Sequence, residues 1–204
     1  MPNAHELASL IREKSGEALR FMVGVAGGPA SGKSTLAEHL REALVAQGET
    51  AIVVPMDGFH FDDAVLNARG HRARKGAPHT YDVGGFEVLL KRIKSREADI
   101  AIPVFDRSME LSRAAADIVT DEAKFILVEG NYLLLKQSPW DRLKPLFDYS
   151  IFVNEPIDEL EQRLIKRWLE HGFDMAYAKN WIASNDLLNI KTVIEESAVA
   201  DISV

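Results

Sequence analysis

The run Gly27-Gly28-Pro29-Ala30-Ser31-Gly32-Lys33-Ser34 fits the spacing G-x-x-x-x-G-K-[ST] at every fixed position. With Thr35 behind it, this run has the residue types that cradle a polyphosphate. Its glycines let the backbone turn N–H groups inward, and a helix starting just after aims its positive dipole end at the same point. Lys33 would reach the β- and γ-phosphates, and the Ser34 hydroxyl would ligate Mg²⁺. Two carboxylates could complete such a site. Asp57 and Glu129 each end an apolar, strand-like run, where a carboxylate is costly to hold without a positive partner. A Mg²⁺·nucleotide complex supplies one. One carboxylate would then position metal or water and the other would take the proton of an acceptor hydroxyl; the alternative is that each caps a helix or meets an arginine. Arg163 and Arg167 lie four apart on one helix face, where they could fork onto phosphate oxygens or pair with Glu159, Glu161 or Glu170.

The elements that must position these residues follow from apolar spacing. Phe21, Met22, Val23 and Val25 predict a buried parallel strand leading into the glycine loop, and Thr35–Gln47 a helix with Leu36, Leu40, Ala43 and Leu44 on one face. Ala51–Met56 and Phe125–Val128 read as the strands that deliver Asp57 and Glu129, and Tyr149–Val153 as another. Helices are expected at Asn3–Lys14, with Asn3 as cap, at Asp62–Arg69, Phe86–Ile93, after Pro156, and over Asp174–Leu188. Trp140–Phe147 reads as a short helical segment and Val199–Val204 as a last strand. Ile100–Phe105 and Ala116–Val119 suggest a hairpin or a pair of edge strands. His71–His79 looks like an exposed basic loop, either solvated or touching an anion, and Trp140, Trp168 and Trp181 look like core. Alternating strands and helices predict a three-layer α/β/α fold around a parallel sheet, with residues 1–204 as one domain. In such a sheet ligands bind beyond the carboxyl ends of the strands, where the glycine loop, Asp57 and Glu129 would meet.

Composition narrows the partners. The net charge of −7 argues against a general nucleic-acid binder. The absence of cysteine excludes disulfides, thiolate metal sites and cysteine catalysis. No apolar run reaches membrane-spanning length, and a cytoplasmic location is the default expectation. The interrupted, polar segments Arg72–Tyr81 and Asp106–Arg113 look like walls of an acceptor pocket. In them Asp106 and Glu110 could accept hydrogen bonds from hydroxyls, whereas Arg113 and Lys75 could hold an anion.

Four stretches, GGPASGKST, MDGFHFDD, RKGAPHTYD and VEGNYLLL, together resemble the P-loop kinases grouped with uridine kinase, phosphoribulokinase and bacterial pantothenate kinase. The likeness runs from about Arg20 onward and is greatest to a small nucleoside-kinase-like branch, some of whose members are called fructokinases. It implies the P-loop fold, ATP and Mg²⁺ as cofactors, and an ATP-dependent kinase. Asp57 matches the catalytic base and Glu129 the magnesium-associated acid. His60, Tyr81, Phe105 and Asp106, with Arg113, fall in the acceptor region. Arg163 and Arg167 match the arginine-bearing lid, and the Asn185–Asn189 stretch, Asn189 included, should approach the adenine. After PVFD the chain reads RSMELSR, where uridine kinases carry a histidine-containing segment, and it lacks the longer C-terminal portion of pantothenate kinases. The resemblance thus implies a sugar as acceptor, with pantothenate or a nucleoside as the alternative. A nucleotide-binding regulatory module with slow hydrolysis is the expectation from another class. The partners expected are ATP and a small-molecule acceptor, neither nucleic acid nor membrane, with a homodimer allowed.

Overall fold

The computed structural model describes residues 3–204, so the first two residues of the expected 1–204 domain lie outside the description. Helix α1 (Ala4–Ser15) starts where the sequence places it: Asn3 Oδ1 accepts from the Glu6 N–H at 2.9 Å, and the Glu6 carboxylate accepts from the Asn3 N–H at 3.0 Å. Strand β1 (Phe21–Gly27) is buried throughout and feeds the glycine loop, after which α2 (Lys33–Ala46) begins two residues earlier than its apolar spacing suggests. The first turn is set by the loop, since Gly32 has φ +88°, a conformation only glycine adopts without strain.

Strands β2 (Ala51–Pro55), β5 (Phe125–Gly130), β6 (Tyr149–Val153) and β7 (Ile202–Ser203) join β1 in a parallel sheet of order β2-β5-β1-β6-β7. Between them lie α3 (Asp63–Ala68), α4 (Val83–Lys94) and the antiparallel hairpin β3 (Ile100–Asp106) and β4 (Leu111–Val119). The chain ends with α5 (Ile157–Glu170), α6 (Met175–Trp181) and α7 (Leu187–Glu196) before β7. Leu7, Ile11, Leu40 and Leu44 of α1 and α2 pack on one sheet face with Val23, Val25 and Leu127. Met22, Ile126 and Val128 on the opposite face meet Phe86, Leu90 and Ile93 of α4 and Ile100 and Ile102 of the hairpin. Buried strands covered on both faces explain the continuous apolar runs. The three layers and parallel sheet are those expected.

Some elements differ from the sequence reading. Trp140–Phe147 forms two 3-10 turns, Trp140–Arg142 and Lys144–Leu146, in place of one helical segment. The helix expected over Asp174–Leu188 is α6, a π-helical turn over Ile182–Asp186, and α7 running on to Glu196. The hairpin's second strand starts at Leu111, so most of the segment after Asp106 is its tight turn. His71–His79 is not an exposed loop. Lys75 and Ala77 are buried, Arg74 donates to the Ser184 carbonyl at 2.7 Å and to Asn189 Oδ1 at 3.1 Å, and Asn185 donates to the Lys75 carbonyl at 2.9 Å. These bonds strap the basic segment to the junction of α6 and α7, because long cationic side chains find carbonyls there that sequence spacing does not reveal.

Candidate active site

Sheet register brings the expected groups to one edge. Val25 and Pro55 both lie opposite Glu129, and Gly27 lies opposite Val153, so the glycine loop leaves the sheet beside the Glu129 carboxylate. Glu129 is buried, and its Oε2 accepts from the Ser34 hydroxyl at 3.1 Å. Burial pushes its carboxyl up, against the pull of the nearby Lys33 ammonium. On the next strand, Pro55 passes into the 3-10 turn Met56–Phe59, which holds Asp57 over the same edge. Gly58 lets this turn press on the hairpin: a Cβ there would come within 2.2 Å of the Pro103 carbonyl oxygen. A cavity of about 400 Å³ opens between the glycine loop, this turn, the hairpin and α5–α7, and Pro29, Ala30, Lys33, Asp57, Asn131 and Arg167 are among the residues that line it.

A cavity at the carboxyl edge of a parallel sheet, floored by a phosphate-binding loop, is the place for a nucleotide. The Phosphoribulokinase / Uridine kinase family model matches residues 22–185. The chain belongs to that family. A structure from Silicibacter sp. TM1040, provisionally named a fructose transport system kinase, is 38% identical and superposes with a TM-score of 0.95, covering 100% of both chains. The protein YggC of Escherichia coli (strain K12) is 32% identical over 205 residues, 100% of this chain and 84% of its own. Pantothenate kinase of Rhodococcus opacus (strain B4) is 35% identical over 158 residues, 73% of this chain and 48% of its own, so the chain spans about half the length of that relative. The molecule is thus a P-loop kinase, and its remaining site residues can be placed in a kinase cavity.

Asp57 sits amid cations. Its Oδ2 accepts from Arg107 Nη2 at 2.7 Å, its Oδ1 lies 3.5 Å from the Tyr81 hydroxyl, and its backbone carbonyl is 2.8 Å from His60 Nδ1. Burial pushes the Asp57 carboxyl up, but His60, Arg107, Lys33 and Arg167 together outweigh it and hold the group below the usual carboxylate range. Burial holds the His60 imidazole below its usual range, against the pull of Asp57, and pushes the Tyr81 phenol far up. Arg167 reaches the cavity, its guanidinium disfavoured first by burial and then by Arg107.

Arg163 is placed differently from its helical neighbour. It donates to Glu159 at 2.8 Å and Glu155 at 3.1 Å, and its Nη1 reaches the Ala30 and Ser31 carbonyls at 3.4 and 3.5 Å. It braces the outside of the glycine loop and is not among the described residues lining the cavity. Thr35 is exposed on the first turn of α2, and buried Asn189 lines the cavity with its amide oxygen held by Arg74.

Asp106 and Arg113, expected in the acceptor pocket, are not among the described lining residues. Asp106 Oδ1 closes the hairpin turn, accepting from the Ser108 N–H at 3.0 Å, its hydroxyl at 2.6 Å and the Met109 N–H at 3.2 Å, while Arg113 lies against Oδ2 at 3.4 Å. The next residue, Arg107, faces the site instead, and sequence reasoning did not single it out. Trp168 and Trp181, expected in the core, are only partly buried and line the cavity with Phe173 and Tyr177, whose rings stack 4.5 Å apart. Their i, i+4 spacing was the available signal.

The donor set fits Mg²⁺. Ser34 and Glu129 offer two hard oxygen ligands side by side, and this ion binds through one or two protein oxygens plus phosphates and waters. Among the described residues no group of three or more His, Asp or Glu side chains could hold a metal alone.

Proposed function

We propose that the chain, acting as one kinase domain, transfers the γ-phosphoryl group of ATP to a hydroxyl of a small metabolite, with Mg²⁺ held by Ser34 and Glu129. The observation that carries this reading is the convergence of Lys33, Asp57 and Arg167 on one cavity beside the glycine loop. The loop N–H groups and Lys33 bind and orient the phosphates. Asp57 receives the acceptor proton as that oxygen forms its bond to the γ-phosphorus, and the bond from phosphorus to the β,γ-bridging oxygen breaks, its electron pair leaving with ADP. Lys33 and Arg167 offset charge spreading over the transferred group, and bound Mg²⁺ would add to that neutralisation. A sugar skeleton is the first candidate, supported by the 38% identity to the structure named for fructose transport; pantothenate or a nucleoside is the alternative.

The test is an ADP-release screen of the purified protein with sugars, nucleosides and pantothenate. ADP formation that depends on one class of acceptor is the expected result. Release at the same rate without any acceptor would replace the kinase by a slow hydrolase.

A further inference from the structure

Among the described residues three asparagines line the cavity, and they are not alike. Asn185 donates to the Lys75 carbonyl at 2.9 Å, and Asn189 Oδ1 accepts from Arg74 Nη2 at 3.1 Å, so both amides hold the basic segment in place. Asn131 holds nothing. It is 9% exposed, and its Oδ1 is sealed from solvent with no hydrogen-bond partner among the described residues. Its Nδ2 is also unpaired within the protein but is not sealed, and it meets the cavity that Asn131 lines.

A stranded amide oxygen destabilises a fold, because it has left water and gained no donor. Turning the amide over would only strand the nitrogen in its place. Leucine has nearly the same shape and would remove the penalty, and β5 is apolar up to Glu129. Packing therefore does not ask for an amide at this position. An amide kept at a cost to stability on the wall of a binding cavity is accounted for by what enters that cavity.

The strands set where Nδ2 lies. Pro55 of β2 is opposite Glu129 of β5, and one residue further the two chains touch: a Cβ at Gly130 would come within 2.5 Å of Met56 Cβ. The residues that follow this contact are Asn131 and Asp57, and both line the cavity. Beyond Asn131 the chain stays on the side of the base. The Tyr132 ring meets Tyr81 edge-on at 5.8 Å, and the Tyr81 hydroxyl lies 3.5 Å from Asp57 Oδ1. The phosphates have charged partners in Lys33 and Arg167, whereas an uncharged donor suits an uncharged oxygen. We infer that Asn131 Nδ2 donates a hydrogen bond to an acceptor oxygen beside the hydroxyl that Asp57 receives, which makes Asn131 a specificity residue for acceptors with oxygens on adjacent carbons. The inference rests on the kinase reading above and deepens it. Sugars and the ribose of a nucleoside meet this requirement, while pantothenate has no oxygen on the carbon next to its primary hydroxyl.

The experiment compares wild type with Asn131→Leu, which removes the amide and keeps its shape. Fructose, glucose and uridine are assayed for ADP release, together with two linear pairs: glycerol with 1,3-propanediol, and erythritol with 1,4-butanediol. The second member of each pair lacks adjacent oxygens. Asn131→Leu should leave ATP·Mg²⁺ affinity unchanged and unfold no earlier than wild type, since the stranded oxygen is gone. Its kcat/KM for the acceptor that wild type uses should fall roughly five- to hundredfold, the range for an unpaired polar group. Weaker ATP binding with acceptor kinetics unchanged would overturn the inference and assign the amide to the phosphates. A lowered midpoint with unchanged kinetics would also overturn it, making the amide structural. Should Asn131→Leu not fold, Asn131→Ala carries the same kinetic comparison. If no probe is phosphorylated, the kinase reading fails on this panel, and binding still decides. The side-chain amide signal of Asn131, identified by its loss in Asn131→Leu, is followed by ¹⁵N NMR in enzyme saturated with ADP and Mg²⁺. A shift with fructose, glycerol or erythritol but not with 1,3-propanediol or 1,4-butanediol supports the inference, and no shift, or an equal shift with all five, overturns it.

Discussion

At the scale of single residues, the two carboxylates of the site are set apart by what surrounds them. Glu129 is buried against the Ser34 hydroxyl, the arrangement of a metal-side group. Asp57 faces the cavity among His60, Arg107, Lys33 and Arg167, which hold it ionised below the usual carboxylate range. Asp57→Asn should therefore lose about 10²–10⁴ in turnover, the usual contribution of a general base, with ATP·Mg²⁺ affinity near that of wild type. Under the proposed role of Glu129, Glu129→Gln should instead raise the Mg²⁺ requirement, because a charge would leave the metal shell. Titrating Mg²⁺ and a fluorescent ATP analogue against both variants separates the roles, and the same phenotype from both would merge them. Residues of this kind were legible because each follows an apolar strand, so pattern alone placed it at the sheet edge. Arg107 was not legible in that way. What turns Asp106 out of the pocket and Arg107 into it is a local choice, the Asp106 carboxylate folding back onto Ser108 and Met109. Asp followed by Ser two residues on is a turn-forming signal, but it does not say which flank faces a cavity formed by distant segments.

At the scale of elements, the site depends on how the hairpin docks on the turn after β2. Strand positions were readable from apolar runs, and the hairpin from two β-like runs around a polar one. Its contact with the Asp57 turn was not, because it depends on Gly58 and Pro103, which are far apart in sequence. Likewise, the basic segment around Lys75 reads as an exposed loop, solvated or touching an anion, until Asn185, Ser184 and Asn189 supply partners more than a hundred residues away. Gly58→Ala tests the docking. Its Cβ would meet the backbone oxygen of Pro103 at 2.2 Å, so the turn and the hairpin must separate. Overpacking of this kind costs about 1–3 kcal/mol, and thermal unfolding should show a lowered midpoint. Because the displaced elements carry Asp57 and Arg107 and not the glycine loop, acceptor turnover should fall well before nucleotide affinity does. A variant with unchanged midpoint and kinetics would mean that the two elements are not held by this contact.

At the scale of the whole molecule, the glycine loop lies between the α1–α2 side of the sheet and the α5–α7 wall. Gly28 is within 3.4–3.6 Å of Ile190 and Leu160 at its would-be Cβ, Arg163 braces the loop from α5, and β1 behind it is buried along its length. A ligand that fills the loop thus ties together the central strand, α2 and the last helices, and its binding free energy becomes folding free energy. Nucleotide at a hundred times its dissociation constant adds about 2.7 kcal/mol of stability. For a chain of this size each kcal/mol moves the unfolding midpoint by roughly 2–4 °C, so saturating ATP·Mg²⁺ should raise it by about 5–10 °C. The same total concentration should raise the Lys33→Ala protein by much less, since the lost charge weakens phosphate binding while Lys33, at the start of α2 and only partly buried, carries no core packing. Each protein's gain is read against its own unliganded midpoint, because Lys33 also offsets the charges of Glu129 and Asp57. A Lys33→Ala protein that gains as much from ATP·Mg²⁺ as wild type would show that the phosphates sit elsewhere, and the kinase reading would lose its foundation.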